Sequence, residues 1–391
     1  MSDGATRSTD RRVAASRRAL RLAVRPDGAA FADWAGAADE VDWDWVVRTA
    51  RAHKLWALVA ARLSTTGVDV AVGGDLPQRV AAARTEAARR GAMSERTLAA
   101  VAGAAAAARL PFYVVKGSVL AHRVYGDPHL RRFADVDAIV RQADVPRAEA
   151  ILSQLGYRPG GIEGIVDATP ATAAERAFAE TLTRRFDTRH LAAHTWYAPR
   201  GSDLLSVDLH WHAAPARLRV DEELLWERTE PIDIGGVRLL TFTPAATILH
   251  LVAHATTCLL NGFRLLHLVD VAWAATRFSD HAAETWRLAE AWRVAPHLAR
   301  VLALVERLLE IELPLLAAGP RRPRPLLETA TVESFLLDAA GVDQRSAADR
   351  LWREMVWGAS MGCVRRNVGV IASAAWARGR FQLFRRLQGG A

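Results

Sequence analysis

Apolar residues fall at helical spacing through the first hundred positions. Trp43, Trp45, Val46 and Val47, then Leu55–Leu63, repeat at i, i+3 and i+4, which predicts amphipathic helices. Residues 67–77 read as a loop. Residues 81–108 read as a long alanine-rich helix studded with arginine. Its narrow apolar face predicts packing across another domain.

The pattern changes at Leu110. Phe112–Val115 is an apolar run of strand length, Ser118–Tyr125 is helical, and Gly126-Asp127-Pro128 is a turn. Val136–Val140 is a second strand. Asp144–Leu155 places Val145, Ala148, Ile151, Leu152 and Leu155 on one helical face and stops at Gly156. Across 159–185, Gly160-Gly161 and Thr169-Pro170 predict a loop and then a helix. His190–Tyr197 and Leu204–Trp211 read as a hairpin joined through 199–203, and Val237–Phe242 as a further strand. From Pro244 onward the spacing is helical again, with a proline-rich break over 319–325.

Strand, helix, strand, helix, hairpin is an α+β order. It predicts a tail over 1–26, flexible or helical, and a helical region over 27–107. A mixed core over 108–242 and a C-terminal helical domain over 243–391 complete the division. No internal repeat is visible.

Composition narrows the class. The chain has 391 residues, 51% hydrophobic and 24% charged, as expected of a globular protein of two or three domains. No apolar run reaches membrane-spanning length; in Pro244–Leu260 the run is interrupted by His250 and His254. The two cysteines, Cys258 and Cys363, lack metal-like spacing and fit a reducing, cytoplasmic setting. The arginine-rich start lacks the apolar core of a secretory signal. A formal charge of +8 raises nucleic acid as a partner. The arginines, however, are interleaved with acidic and apolar residues at helical spacing, which predicts a solvated surface. Of the 51 basic residues only Lys54 and Lys116 are lysine, so Lys116, directly before Gly117-Ser118, stands out as a compact charge for a phosphate.

The candidate chemistry begins at Asp135-Val136-Asp137. In a strand the two aspartates share a face, and two adjacent carboxylates repel unless a cation sits between them. A hard cation such as Mg²⁺ fits, and it brings phosphates with it. Asp208, His210 and His212 share a face of a later strand and could ligate zinc. His250 and His254, at i and i+4 on an apolar helix, read as core histidines. Asp270 reads as a buried carboxylate tied to an arginine such as Arg264. Residues 380–387 read as a basic, amphipathic closing helix.

Several of these features occur together in one family. Lys116-Gly117, Tyr125-Gly126-Asp127-Pro128, Arg131, Asp135-Val136-Asp137 and Asp208-Leu209-His210-Trp211, with Leu249-His250-Leu251, His254 and Asp270 downstream, resemble the polymerase-beta-type nucleotidyltransferase superfamily. The likeness is to its poorly characterised bacterial branch and covers residues 40–275. It implies a mixed sheet with helices, flanked by helical regions. It implies Asp135, Asp137 and Asp208 as catalytic carboxylates holding two Mg²⁺, or Mn²⁺. Lys116, Gly117, Ser118 and Arg131 would meet the triphosphate, with Arg131 divided between that role and an ion pair. His210 would be structural, packed beside Trp211. The implied reaction moves NMP, AMP from ATP foremost, to a hydroxyl of an unknown small-molecule, peptide or protein acceptor. The alternatives are an inactive nucleotide- or partner-binding relative and an RNA-binding or tRNA-modifying protein. Two departures are visible: a long gap between Ser118 and Asp135, and Ala134 where the branch has Ser or Thr.

Overall fold

The structure is a computed structural model. It describes residues 2–34, 40–160, 172–175, 177–178, 181–182, 193–212, 223, 226–258, 264–320, 376, 379–384 and 386–387. The chain divides into two compact units. The first holds Met1–Ala92, Lys116–Phe133 and Thr243–Arg350; the second holds Met93–Val115, Ala134–Phe242 and Leu351–Ala391.

The first unit is helical. Its Ser2–Ala23 helix packs on the Trp43–Ala52, Trp56–Thr66 and Ala295–Leu309 helices. Ala19, Leu20, Leu22, Ala23 and Val24 are buried. Arg25 Nε donates to the Leu309 carbonyl at 2.6 Å, and Arg21 pairs with Glu310. Trp273 Nε1 donates to the Val24 carbonyl at 3.0 Å. Residues 2–23 are therefore helical, and the end of that helix is fixed by packing.

Residues 67–77, expected as a loop, contain a short helix, Val68–Val72. Gly67 and Gly73, both at φ 70°, bound it. The long helix starts at Leu76, earlier than its polar first turn suggested, because Leu76 and Val80 are buried.

The second unit is built on a seven-stranded mixed sheet in the order β3-β4-β5-β2-β1-β7-β6. The strands are β1 Tyr113–Val115, β2 Asp135–Ile139, β3 Arg158–Pro159, β4 Ala193–Tyr197, β5 Ser206–His210, β6 Thr229–Ile234 and β7 Val237–Phe242. β2 runs antiparallel to β1 and parallel to β5, while β4 and β5 form the expected antiparallel hairpin. Val136, Ala138, Val207 and Leu209 are buried on one face of the β2–β5 pair. The Thr97 hydroxyl accepts from the Leu205 N–H at 2.8 Å, and Tyr157 Oη donates to the Leu205 carbonyl at 3.0 Å, which fixes the approach to β5.

Two strands lie beyond those the sequence predicts. β3 is only a two-residue edge. β6 is the opposite edge, hidden because Pro231 and Asp233 break its apolar pattern; an edge strand tolerates both. Gly235 and Gly236, at φ 59° and 77°, make the two-residue turn between β6 and β7. Phe381 of the C-terminal segment is buried and Phe384 stacks on Phe178 at 4.3 Å, as a closing helix would. Most of the loop and helix predicted over 159–185, the 319–325 break beyond residue 320, and Cys363 lie outside the described residues.

Candidate active site

The parallel pairing of β2 with β5 decides where the carboxylates stand. Its register sets Asp135 against Ser206, Asp137 against Asp208 and Ile139 against His210. Because side chains alternate, these residues occupy one face and the buried valine, alanine and leucine residues the other. A slip of one residue would drive the carboxylates into the apolar layer, so the apolar face pins the register.

Asp137 and Asp208 are thereby neighbours on adjacent strands, and Asp137 is buried. His210 joins them. Its Nε2 lies 3.1 Å from Asp137 Oδ1. One ligand atom from each of Asp137, Asp208 and His210 falls within 4.8 Å of the others. Asp135 lies one pleat along the same face, half-buried at the start of β2. Two carboxylates and an imidazole on a half-buried face are a donor set that fits a divalent cation: oxygen ligands suit Mg²⁺ and Mn²⁺, and the nitrogen widens the choice toward Mn²⁺ and Zn²⁺.

The other expected site residues belong to the helical unit. β1 ends at Val115; Lys116, which takes φ 54° and ψ −126°, comes next, and the Gly117–Arg123 helix follows. Gly117 is required by close approach: a Cβ there would stand 2.6 Å from Phe133 Cβ. The Ser118 hydroxyl is buried with no hydrogen-bond partner among the described residues.

Arg131 makes an ion pair, one of the two roles left open for it. Its Nε and Nη2 donate to Asp270 at 2.9 and 2.8 Å, and its Nη1 donates to the Arg132 carbonyl at 2.5 Å. Asp270 is therefore tied to Arg131, correcting the expected Arg264. Spacing could not find this partner, because 139 residues separate the two. Tyr125 Oη also donates to Asp270 at 2.8 Å, and its ring stacks on Trp273 at 4.4 Å. Burial, and then the Asp270 charge, push the Tyr125 pKa well up, so the phenol stays a donor. Tyr125, Arg131 and Asp270, three residues of the motif set, thus form a buried network.

The remaining histidines differ from His210. His250 is buried on its helix, as a core histidine should be. His254 meets His267 edge-on at 5.1 Å. His267 Nδ1 accepts from the Arg264 N–H at 3.3 Å. Burial, with Arg131, Arg264, Lys54 and Lys116 adding to it, lowers the His267 pKa to about 3. Burial also lowers the pKa of His212, which lies past the end of β5, outside the close group. The contact that sequence reasoning missed is His210 with Asp137. Its signal was the two-residue step from Asp208, which puts both side chains on one face.

A family model described as "Uncharacterised nucleotidyltransferase" matches residues 39–310. No curated protein matches the chain. Two solved structures of the antibiotic-resistance factor ANT(2'')-Ia are similar. Its solution structure is 16% identical, with a TM-score of 0.33, covering 51% of this chain and 90% of that one. Its crystal structure in complex with adenylyl-2''-tobramycin is 17% identical, also at 0.33, covering 51% of this chain and 96% of that one.

Proposed function

This chain belongs to the uncharacterised nucleotidyltransferase family whose model matches residues 39–310, and on that premise we propose that it moves AMP from ATP to a hydroxyl group of an acceptor. The observation that carries the reading is the register of Asp137 against Asp208, with Asp135 on the same face. In this reading the three carboxylates hold Mg²⁺ or Mn²⁺. Divalent cations bound there would offset charge on the phosphoryl oxygens and make the acceptor hydroxyl easier to deprotonate.

The reaction joins the acceptor oxygen to the α-phosphorus and breaks the bond from that phosphorus to the bridging oxygen of the β-phosphate. Pyrophosphate leaves, and the hydroxyl proton passes to Asp208 or to water. Lys116, Gly117 and Ser118 are assigned to the triphosphate on chemistry alone: a compact ammonium, backbone N–H groups and a hydroxyl without a partner among the described residues. The acceptor is a small molecule, a peptide or a protein side chain.

The test is transfer of label from α-labelled ATP to candidate acceptors or cell extract, with Mg²⁺ or Mn²⁺. Wild type should transfer label, and the double variant Asp135→Asn/Asp137→Asn should lose at least about a hundredfold in rate, the scale set by losing one strong transition-state contact. Equal transfer by both proteins would sink the assignment.

A further inference from the structure

The geometry points to His210 as a nitrogen ligand of the cation held by Asp137 and Asp208, so that this centre takes Mn²⁺ in preference to Mg²⁺. The inference rests on the carboxylate reading above and goes beyond it, because the motif logic gives His210 a packing role beside Trp211.

Three observations support it. His210 Nε2 is aimed at Asp137, 3.1 Å from its Oδ1, with 17% of the His210 side chain and 9% of the Asp137 side chain exposed. A ring nitrogen of His210 belongs to the group whose ligand atoms lie within 4.8 Å of one another. The backbone explains the approach: Asp208 and His210 are two residues apart on β5, and their partners Asp137 and Ile139 are two apart on β2. Rigid neighbouring strands thus aim the imidazole and both carboxylates at one point.

The spacing fits a shared cation. Bonds of about 2.1 Å place adjacent ligand atoms of an octahedron about 3 Å apart. The observed 3.1 Å is a hydrogen-bond separation that also matches that edge, so a cation would stand in place of the proton shared by the two atoms. Imidazole is a poor ligand for Mg²⁺, which keeps to oxygen and water, and a good one for first-row transition metals. Two oxygens with one nitrogen should therefore discriminate between Mg²⁺ and Mn²⁺ where an all-carboxylate site would do so less.

The test uses the full chain with Mn²⁺ and no nucleotide, whose base nitrogens would confound the signal. Electron spin-echo modulation of the bound Mn²⁺ should show coupling to one imidazole nitrogen in the wild type. His210→Ala should abolish that coupling and weaken Mn²⁺ binding by at least about tenfold, with a smaller change for Mg²⁺. If Mn²⁺ binds and Asp137→Asn or Asp208→Asn weakens it, yet the wild type shows no nitrogen coupling, the inference is overturned and the carboxylate reading survives. If wild type binds no Mn²⁺, or binds it regardless of both aspartates, both readings fall. The wild-type spectrum decides the first point even if the alanine variant folds poorly.

Discussion

Arg131 grips Asp270 through two nitrogens, at 2.9 and 2.8 Å, in a part of the helical unit where both side chains are buried. Removing one partner leaves an uncompensated buried charge, which costs about 3–5 kcal/mol. Asp270→Ala should lower unfolding stability by that amount in urea titrations. Replacing both residues with leucine or methionine should recover most of the loss, because a well-packed apolar pair removes the need to desolvate either charge. A double variant as unstable as the single one would show that Tyr125, not the ion pair, dominates the site.

Asp137 and Asp208 make the opposite case, two like charges held side by side. Saturating Mn²⁺ should raise the melting temperature of the wild type, because it binds only the folded chain; at a hundred times Kd the gain is about 2.7 kcal/mol. Asp137→Asn should remove that gain, because the cation loses one of its carboxylates. Differential scanning calorimetry with and without the ion reads the gain in each protein.

His267 predicts a pH dependence of defined sign. Burial holds its folded-state pKa at about 3, against 6.5 in the unfolded chain. As pH falls below 6.5 the unfolded state takes up a proton that the folded state refuses. The stability present above pH 6.5 is thus lost progressively down to about pH 3, at up to about 1.4 kcal/mol per pH unit. His267→Asn should flatten this slope in urea titrations at pH 7, 6 and 5, whatever it does to stability at pH 7.

Lys116 sits at φ 54° and ψ −126°, a region that costs a residue with a side chain about 1–3 kcal/mol. Lys116→Gly should therefore stabilise the protein by about 1 kcal/mol while weakening ATP binding. Denaturation and calorimetric titration of ATP read the two effects separately. A stabilised variant with unchanged ATP affinity would remove Lys116 from the triphosphate assignment.

Local pattern carried much of this molecule into view. Alternation marked the strand with Asp135 and Asp137 and the strand with Asp208, because their intervening valines and leucine are buried on the opposite face. Pairing between those strands was not legible, since the register of Asp137 with Asp208 joins residues 71 positions apart. Nor was the grip of Arg131 on Asp270, where the sequence offered a nearer arginine. β6 escaped notice because Pro231 and Asp233 are acceptable only where no further strand must pair, and edge position is a tertiary fact.

The two outermost strands each carry a proline, Pro159 in β3 and Pro231 in β6. Proline offers no N–H, so the bonding ladder at either rim has a gap. β3 is also only two residues long, and β6 bears Glu230 and Asp233. An incoming strand from another molecule would find few consecutive donors and a charged border. Short, charged or proline-bearing rims are how sheets resist edge-to-edge polymerisation, so contacts between copies of this chain are better made by side-chain surfaces than by lengthening the sheet.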